Sequence, residues 1–118
     1  MTLLPWALVA AGGAVGACAR FGVGALIVAQ GWPSMVATGC VNVVGCFLIG
    51  LLYARTQDPN VRLALGVGVL GGFTTFSSFG RETLELLAAG RMGFAAASVA
   101  FNVIIGLVGV WFGQRVAG

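Results

Sequence analysis

Residues Gly71 to Phe79 read GGFTTFSSF, in the middle of an uncharged run from Leu63 to Gly80. Two adjacent glycines loosen a helix there, and the hydroxyls of Thr74, Thr75, Ser77 and Ser78 can take over backbone hydrogen bonds. Irregular backbone at membrane depth persists only where protein or a water-filled cavity covers it. Freed carbonyls, hydroxyls and N–H groups in such a place are the chemistry of an ion or small-substrate site, not of covalent catalysis.

Few other polar residues lie inside apolar stretches, and they recur at helical spacing. Thr75, Ser78, Glu82 and Glu85 follow i, i+3, i+7, i+10 and share one helix face, with Phe76 and Phe79 on a neighbouring face. Ser98, Asn102 and Gly106 form a second stripe at four-residue spacing, while Asn42 lies one turn from Gly39, Gly45 and Cys46, and Arg20 four residues after Gly16. Polar groups within a membrane span carry a free-energy penalty and so face inward, where they mark pathways or partners. Each also has a plainer reading. Asn42 serves equally as interhelical glue, Ser and Thr back-bond to the preceding turn, Arg20 snorkels to a headgroup, and Glu82 and Glu85 form a solvated helix end with Arg81. Those readings leave the conjunction beside the double glycine unexplained.

The elements that must hold these residues follow from composition. The 118 residues are 59% hydrophobic and only 8% charged, with a mean hydropathy of +1.05, too little charge to cover a water-facing surface. Four stretches are long enough to cross a bilayer as helices: Leu4 to Ala29, Met35 to Ala54, Leu63 to Ala89, and Met92 to Phe112. The connections Gln30 to Ser34, Arg55 to Arg62 and the turn at Ala89 to Arg91 are short. An all-α, multi-pass membrane protein is expected, with one four-helix transmembrane domain over residues 1–118, antiparallel neighbouring helices and a third helix broken near its middle. The setting is the cell inner or plasma membrane, with lipid around the bundle. A cleavable signal peptide is not expected, because the first apolar stretch lacks a basic leader and outruns an h-region.

Charge and cysteine narrow the function classes. Net charge of +3 comes from six scattered arginines, which make neither a nucleic-acid patch nor a polybasic anchor. Cys18, Cys40 and Cys46 lie in apolar spans, are odd in number and have no histidine near them, so they read as packing residues. An enzyme is not expected without a histidine, a nucleophile–base pair or a metal cluster. Arg55, Arg62 and Arg115 fall on one side of the membrane and Arg91 on the other, a weak positive-inside bias compatible with insertion in both orientations. Twenty glycines, several at helical spacing (Gly12 and Gly16; Gly39 and Gly50; Gly106, Gly109 and Gly113), serve packing inside the bundle or between copies, and their abundance favours an oligomer.

The motifs GGAVGACARF (Gly12 to Phe21), VNVVGCFLIG (Val41 to Gly50) and GGFTTFSSFGRE (Gly71 to Glu82) occur in that order. Together the chain resembles the CrcB/Fluc fluoride channel family through all four helices, the third motif being the most specific. The resemblance implies an antiparallel, dual-topology dimer with two fluoride pores that passively export cytoplasmic fluoride. It also implies a structural sodium ion at the dimer interface, held by the backbone carbonyls of Gly71 and Thr74. The same resemblance assigns the pore to the edges of Phe76 and Phe79, the Asn42 amide, the hydroxyls of Thr75 and Ser78, and the polar stripe of Ser98 and Asn102. Arg20 becomes a vestibule residue and Glu82 a polar-track or gating group. The fourth helix departs from the family pattern, with Ser98 and Asn102 where a tyrosine and then a serine are usual, and Gly80 replaces a serine. Some relatives pair two non-identical chains, so a homologous partner chain is the alternative to a homodimer.

Two other classes compete. A small multidrug-type proton-coupled exporter shares the four-helix, dual-topology plan but needs a carboxylate in its first helix, and the acids here are Asp58, Glu82 and Glu85. A non-transporting assembly subunit has no need for the TTFSSF constellation.

Overall fold

Long apolar runs interrupted by Gly, Pro and short polar turns fold into four helices long and apolar enough to cross a membrane, and the computed structural model describes residues 2–118. The first span is one helix, α1 (Leu4–Ala29), and the second is α2 (Ser34–Arg55). The third, Pro59–Ala88, is composite: α3 (Pro59–Val61), a π-helical stretch Arg62–Leu70, α4 (Gly71–Phe73), two extended residues, then α5 (Phe76–Ala88). The fourth, Met92–Ala117, runs as α6 (Met92–Ala100), a π-helical turn Phe101–Ile105 and α7 (Gly106–Ala117). Gly31 and Gly90, both at positive φ, turn the chain after α1 and α5.

Five boundaries on three spans differ from the sequence expectation, and the third span ends at Ala88 instead of Ala89. The second span gains Ser34 and Arg55. The third begins at Pro59 instead of Leu63, because the Asp58 side chain caps the backbone N–H groups of Asn60 and Val61 at 2.9 and 3.3 Å and Pro59 presets the first turn. The fourth runs past Phe112 to Ala117 as its last turn leaves the apolar zone. There the Arg115 guanidinium lies 5.3 Å from the centre of the Trp111 ring. Arg62 over Tyr53 and Arg91 over Phe94 make the same pairing at 4.3 and 4.4 Å, setting cation–aromatic anchors near span ends. The long dimension of 49 Å matches a bilayer with its headgroup layers.

Small residues decide which helices touch most closely. Gly12 of α1 faces Gly68 of the third span, Gly16 meets Val69 and Phe73, and Gly72 meets Gly13 and Ala17, so small residues from both sides make the seam. A Cβ at Gly16 would lie 2.8 Å from the Phe73 backbone nitrogen, and one at Gly68 would lie 2.9 Å from the Gly12 Cα. Gly50, Gly109 and Gly113 do the same between α2 and α7, where a Cβ at Gly113 would meet the Leu51 nitrogen at 2.9 Å. The paired residues rise together in number, so spans one and three run parallel, as do spans two and four. Consecutive spans are antiparallel, but the tightest packing joins alternate ones. Gly39, whose Cβ would meet the Phe101 ring, and Gly106, against Cys46, are likewise engaged within the chain. These glycines are engaged by packing inside one bundle, whereas a Cβ at Gly13, Gly22, Gly24, Gly80 or Gly93 would meet nothing within 4 Å.

Candidate ion site at the broken third span

The helix breaks at Thr74 and Thr75, both extended (φ −88°, ψ 158° and φ −149°, ψ 122°). Thr74 still closes the upstream half, its N–H and hydroxyl both donating to the Leu70 carbonyl at 3.0 Å. Thr75 opens the downstream half: its hydroxyl accepts from the Ser78 N–H at 3.2 Å as an N-cap. A threonine pair can do both jobs because each carries a short hydroxyl able to replace a backbone partner.

Three carbonyls, those of Gly71, Phe73 and Thr74, are left over by this arrangement, the Phe73 oxygen because the Ser77 N–H no longer reaches it. In an unbroken helix the Gly71 carbonyl would accept from the N–H of Thr75, and that of Thr74 from the N–H of Ser78. Here the Thr75 N–H goes to Asn42 Oδ1 at 2.7 Å and the Ser78 N–H to the Thr75 hydroxyl. The oxygens of Gly71 and Thr74 thus lose their helical donors. Neutral, hard oxygen donors of this kind suit a hard cation such as sodium.

Asn42 holds the break from the second span. Besides accepting from Thr75 N–H, it donates through Nδ2 to the Thr75 carbonyl at 2.9 Å and to Asn102 Oδ1 at 2.7 Å. Both of its N–H groups are therefore committed to protein acceptors, and the donor expected to face an anion is turned onto the break. Gly45, one turn along α2, makes room for the Thr74 methyl. Arg20 reaches across from α1 and donates from Nε to the Gly72 carbonyl at 3.1 Å, placing a cation at the C-terminal end of the upstream half-helix.

Two cavities flank Thr75. One, of about 400 Å³, is lined by Asn42, Gly71, Thr74, Phe76, Phe79 and Asn102 among others. The second, of about 150 Å³, is lined by Arg20, Thr38, Ser78, Arg81 and Glu82 among others. Thr75 belongs to both linings. Phe76 and Phe79 meet edge to face at 5.4 Å, yet Phe76 is 80% exposed in the single chain and Phe79 is buried. Ser98 is buried, lines neither cavity, and is tied to the site through Asn102, whose Nδ2 donates to its carbonyl at 2.8 Å.

The two glutamates on one face of α5 separate. Glu85 is exposed and pairs with Arg81 at 2.7 Å, the ordinary helix-end pair. Glu82 is 5% exposed; its Oε2 accepts from Ser34 Oγ at 2.8 Å and Thr38 Oγ1 at 3.1 Å, while Oε1 is buried without a hydrogen-bond partner among the described residues. Ser34 and Thr38 had no assigned role in the sequence reading. With Asn42 they form a polar stripe at four-residue spacing on α2, a signal as plain as that of Ser98 and Asn102.

Residues 7–114 match the family described as "CrcB-like protein, Camphor Resistance (CrcB)". The chain is 42% identical over 113 residues to the fluoride-specific ion channel FluC of Methylobacillus flagellatus, covering 90% of this chain and 88% of that one. It is 46% identical over 117 residues to the FluC of Novosphingobium aromaticivorans (93% of each chain). The FluC of Caulobacter vibrioides is 45% identical over 119 residues, covering 93% and 92%. The chain belongs to the CrcB-like family. Within this CrcB-like chain the three motifs occupy distinct places: the first supplies the glycine seam and Arg20, the second supplies Asn42, and the third is the break itself.

Proposed function

We propose that this chain is a subunit of a fluoride channel through which the anion leaves the cytoplasm passively, down its electrochemical gradient. The observation that carries the reading is the break at Thr74 and Thr75, clamped by Asn42 and flanked by Phe76 and Phe79, with Thr75 lining two cavities. A small, strongly hydrated anion needs donors that replace its water, and hydroxyls with the positive edges of aromatic rings supply them without a fixed charge. Thr75, Ser78, Phe76 and Phe79 line the route. Ser98, Asn102 and Asn42 form the polar stripe that supports it. Arg20 draws anions towards the smaller cavity, and Glu82 sets its local polarity from the Ser34 and Thr38 hydroxyls.

The functional unit in this reading is an antiparallel, dual-topology homodimer with two pores, in the inner or plasma membrane. Its support is physical: the larger cavity opens the irregular backbone at Thr74 and Thr75 to the outside of one chain at membrane depth, and the Thr75–Ser77 hydroxyl pair is exposed beside it, where lipid cannot satisfy them. A second copy, inverted, covers that face. The left-over carbonyls of Gly71 and Thr74 would hold a structural sodium there. When bound, the ion supplies a positive charge and a fixed point between the chains.

The test is fluoride efflux from proteoliposomes, read with a fluoride electrode and with chloride as control. Rapid fluoride efflux with no chloride efflux is expected. Absence of fluoride efflux from well-folded protein overturns the proposal.

A further inference from the structure

The fourth span reaches the break at one polar point, by way of Asn42 on the second span, and it does so through a residue not usual at that place in the family. Asn102 sits in the π-helical turn Phe101–Ile105 and is half-buried. An asparagine amide has one acceptor oxygen and two N–H donors. The Ser98 carbonyl can only accept, so it fixes Asn102 Nδ2 on its side, at 2.8 Å. Asn102 Oδ1 must then point the other way, onto Asn42 Nδ2 at 2.7 Å. At the far end the Thr75 N–H can only donate, so it fixes Asn42 Oδ1 on its side, at 2.7 Å. Both ends therefore demand the same orientation of both amides. The chain Ser98–Asn102–Asn42–Thr75 is one polarised line across three spans.

We propose that Asn102 is a positioning residue for the ion route: by accepting from Asn42 it locks the Asn42 amide in the single orientation that satisfies both backbone groups of Thr75. With Asn102 removed, the second Asn42 N–H has no acceptor in this line. The amide then gains freedom to turn and release Thr75, the N-cap of the helix that carries Phe76 and Phe79. The proposal deepens the channel reading, and rests on it for the consequence in transport. Asn102 acts through Asn42 and does not itself need to touch the anion.

The test has two arms, both on the intact protein. In the first, amide hydrogen exchange and side-chain NMR signals are compared in detergent for the natural chain, Asn102→Leu and Asn102→Asp. Asn102→Leu is expected to speed exchange at the Thr75 N–H by about fivefold or more and to shift one Asn42 side-chain N–H, the loss expected for one buried hydrogen bond. Asn102→Asp, read at a pH low enough to protonate its carboxyl, keeps an oxygen facing Asn42 and an O–H facing the Ser98 carbonyl, and is expected to preserve Thr75 protection. An unchanged Thr75 N–H and unchanged Asn42 signals in Asn102→Leu overturn the proposal; if that variant fails to fold, Asn102→Ala is read instead. In the second arm, fluoride efflux is compared for Asn42→Ala, Asn102→Leu and the double variant. The double variant is expected to be no slower than Asn42→Ala, and losses that multiply overturn the coupling. If the natural protein moves no fluoride, the channel reading fails while the first arm still decides the role of Asn102.

Discussion

Asn42 pairs with Thr75 as one strand pairs with another: its amide oxygen accepts from the Thr75 N–H at 2.7 Å and its amide nitrogen donates to the Thr75 carbonyl at 2.9 Å. A side chain thereby replaces the helical partner of the Thr75 N–H where the third span is broken, and adds a donor to the Thr75 carbonyl that opens α5. Without it, the Thr75 N–H would be left at membrane depth with no water to satisfy it.

Asn42→Ala is expected to lower the stability of the bundle by about 2–3 kcal/mol, the sum of lost hydrogen bonds and groups left unsatisfied. Asn42→Asp retains an oxygen for the Thr75 N–H but sets its other oxygen against the Thr75 carbonyl and Asn102 Oδ1, and should lose more. Thermal unfolding in detergent, followed by circular dichroism, separates the two.

Glycines in the seams and glycines on the surface should respond in opposite ways. Gly16→Ala drives a Cβ into the Val69 carbonyl and the Phe73 nitrogen, both rigid backbone, and should destabilise by about 1–3 kcal/mol. Gly80→Ala meets nothing within 4 Å inside α5 and should stabilise by about 0.5–1 kcal/mol through helix propensity. The same unfolding measurement checks both.

Phe79 is the buried member of the edge-to-face pair and lines the larger cavity. Phe79→Ile keeps bulk but removes the ring edge. Fluoride efflux is expected to fall by about tenfold or more, equivalent to losing one aromatic contact of roughly 1.4 kcal/mol. Unchanged efflux from folded Phe79→Ile protein would remove the ring from the route.

Thr38→Val removes one of the two hydroxyls that donate to Glu82 Oε2 and keeps the shape of the side chain. Because the carboxylate is buried, stability should fall by about 1–3 kcal/mol. Glu85→Gln is expected to change stability little, since the Arg81–Glu85 pair lies in the open. Unfolding midpoints for the two variants test this division of the glutamates.

Much of this protein was legible in the order of its residues. Runs of about 20 apolar residues with almost no charge can only be membrane helices, because each backbone group must be satisfied within its own segment. GGFTTFSSF marked the break because two glycines and a cluster of hydroxyls are a poor continuous helix and a good pair of helix ends. Tertiary structure alone decided the partners. That Arg20 caps Gly72, that Ser34 and Thr38 hold Glu82, and that Asn42 reaches Thr75 depends on contacts between residues 33 to 52 positions apart, which no local periodicity encodes. The glycines show the same limit: spacing announced a close seam, but not that the seam joins parallel alternate spans within one chain. The π-helical turns also lacked a local signal, because their register is set by the helices packed against them.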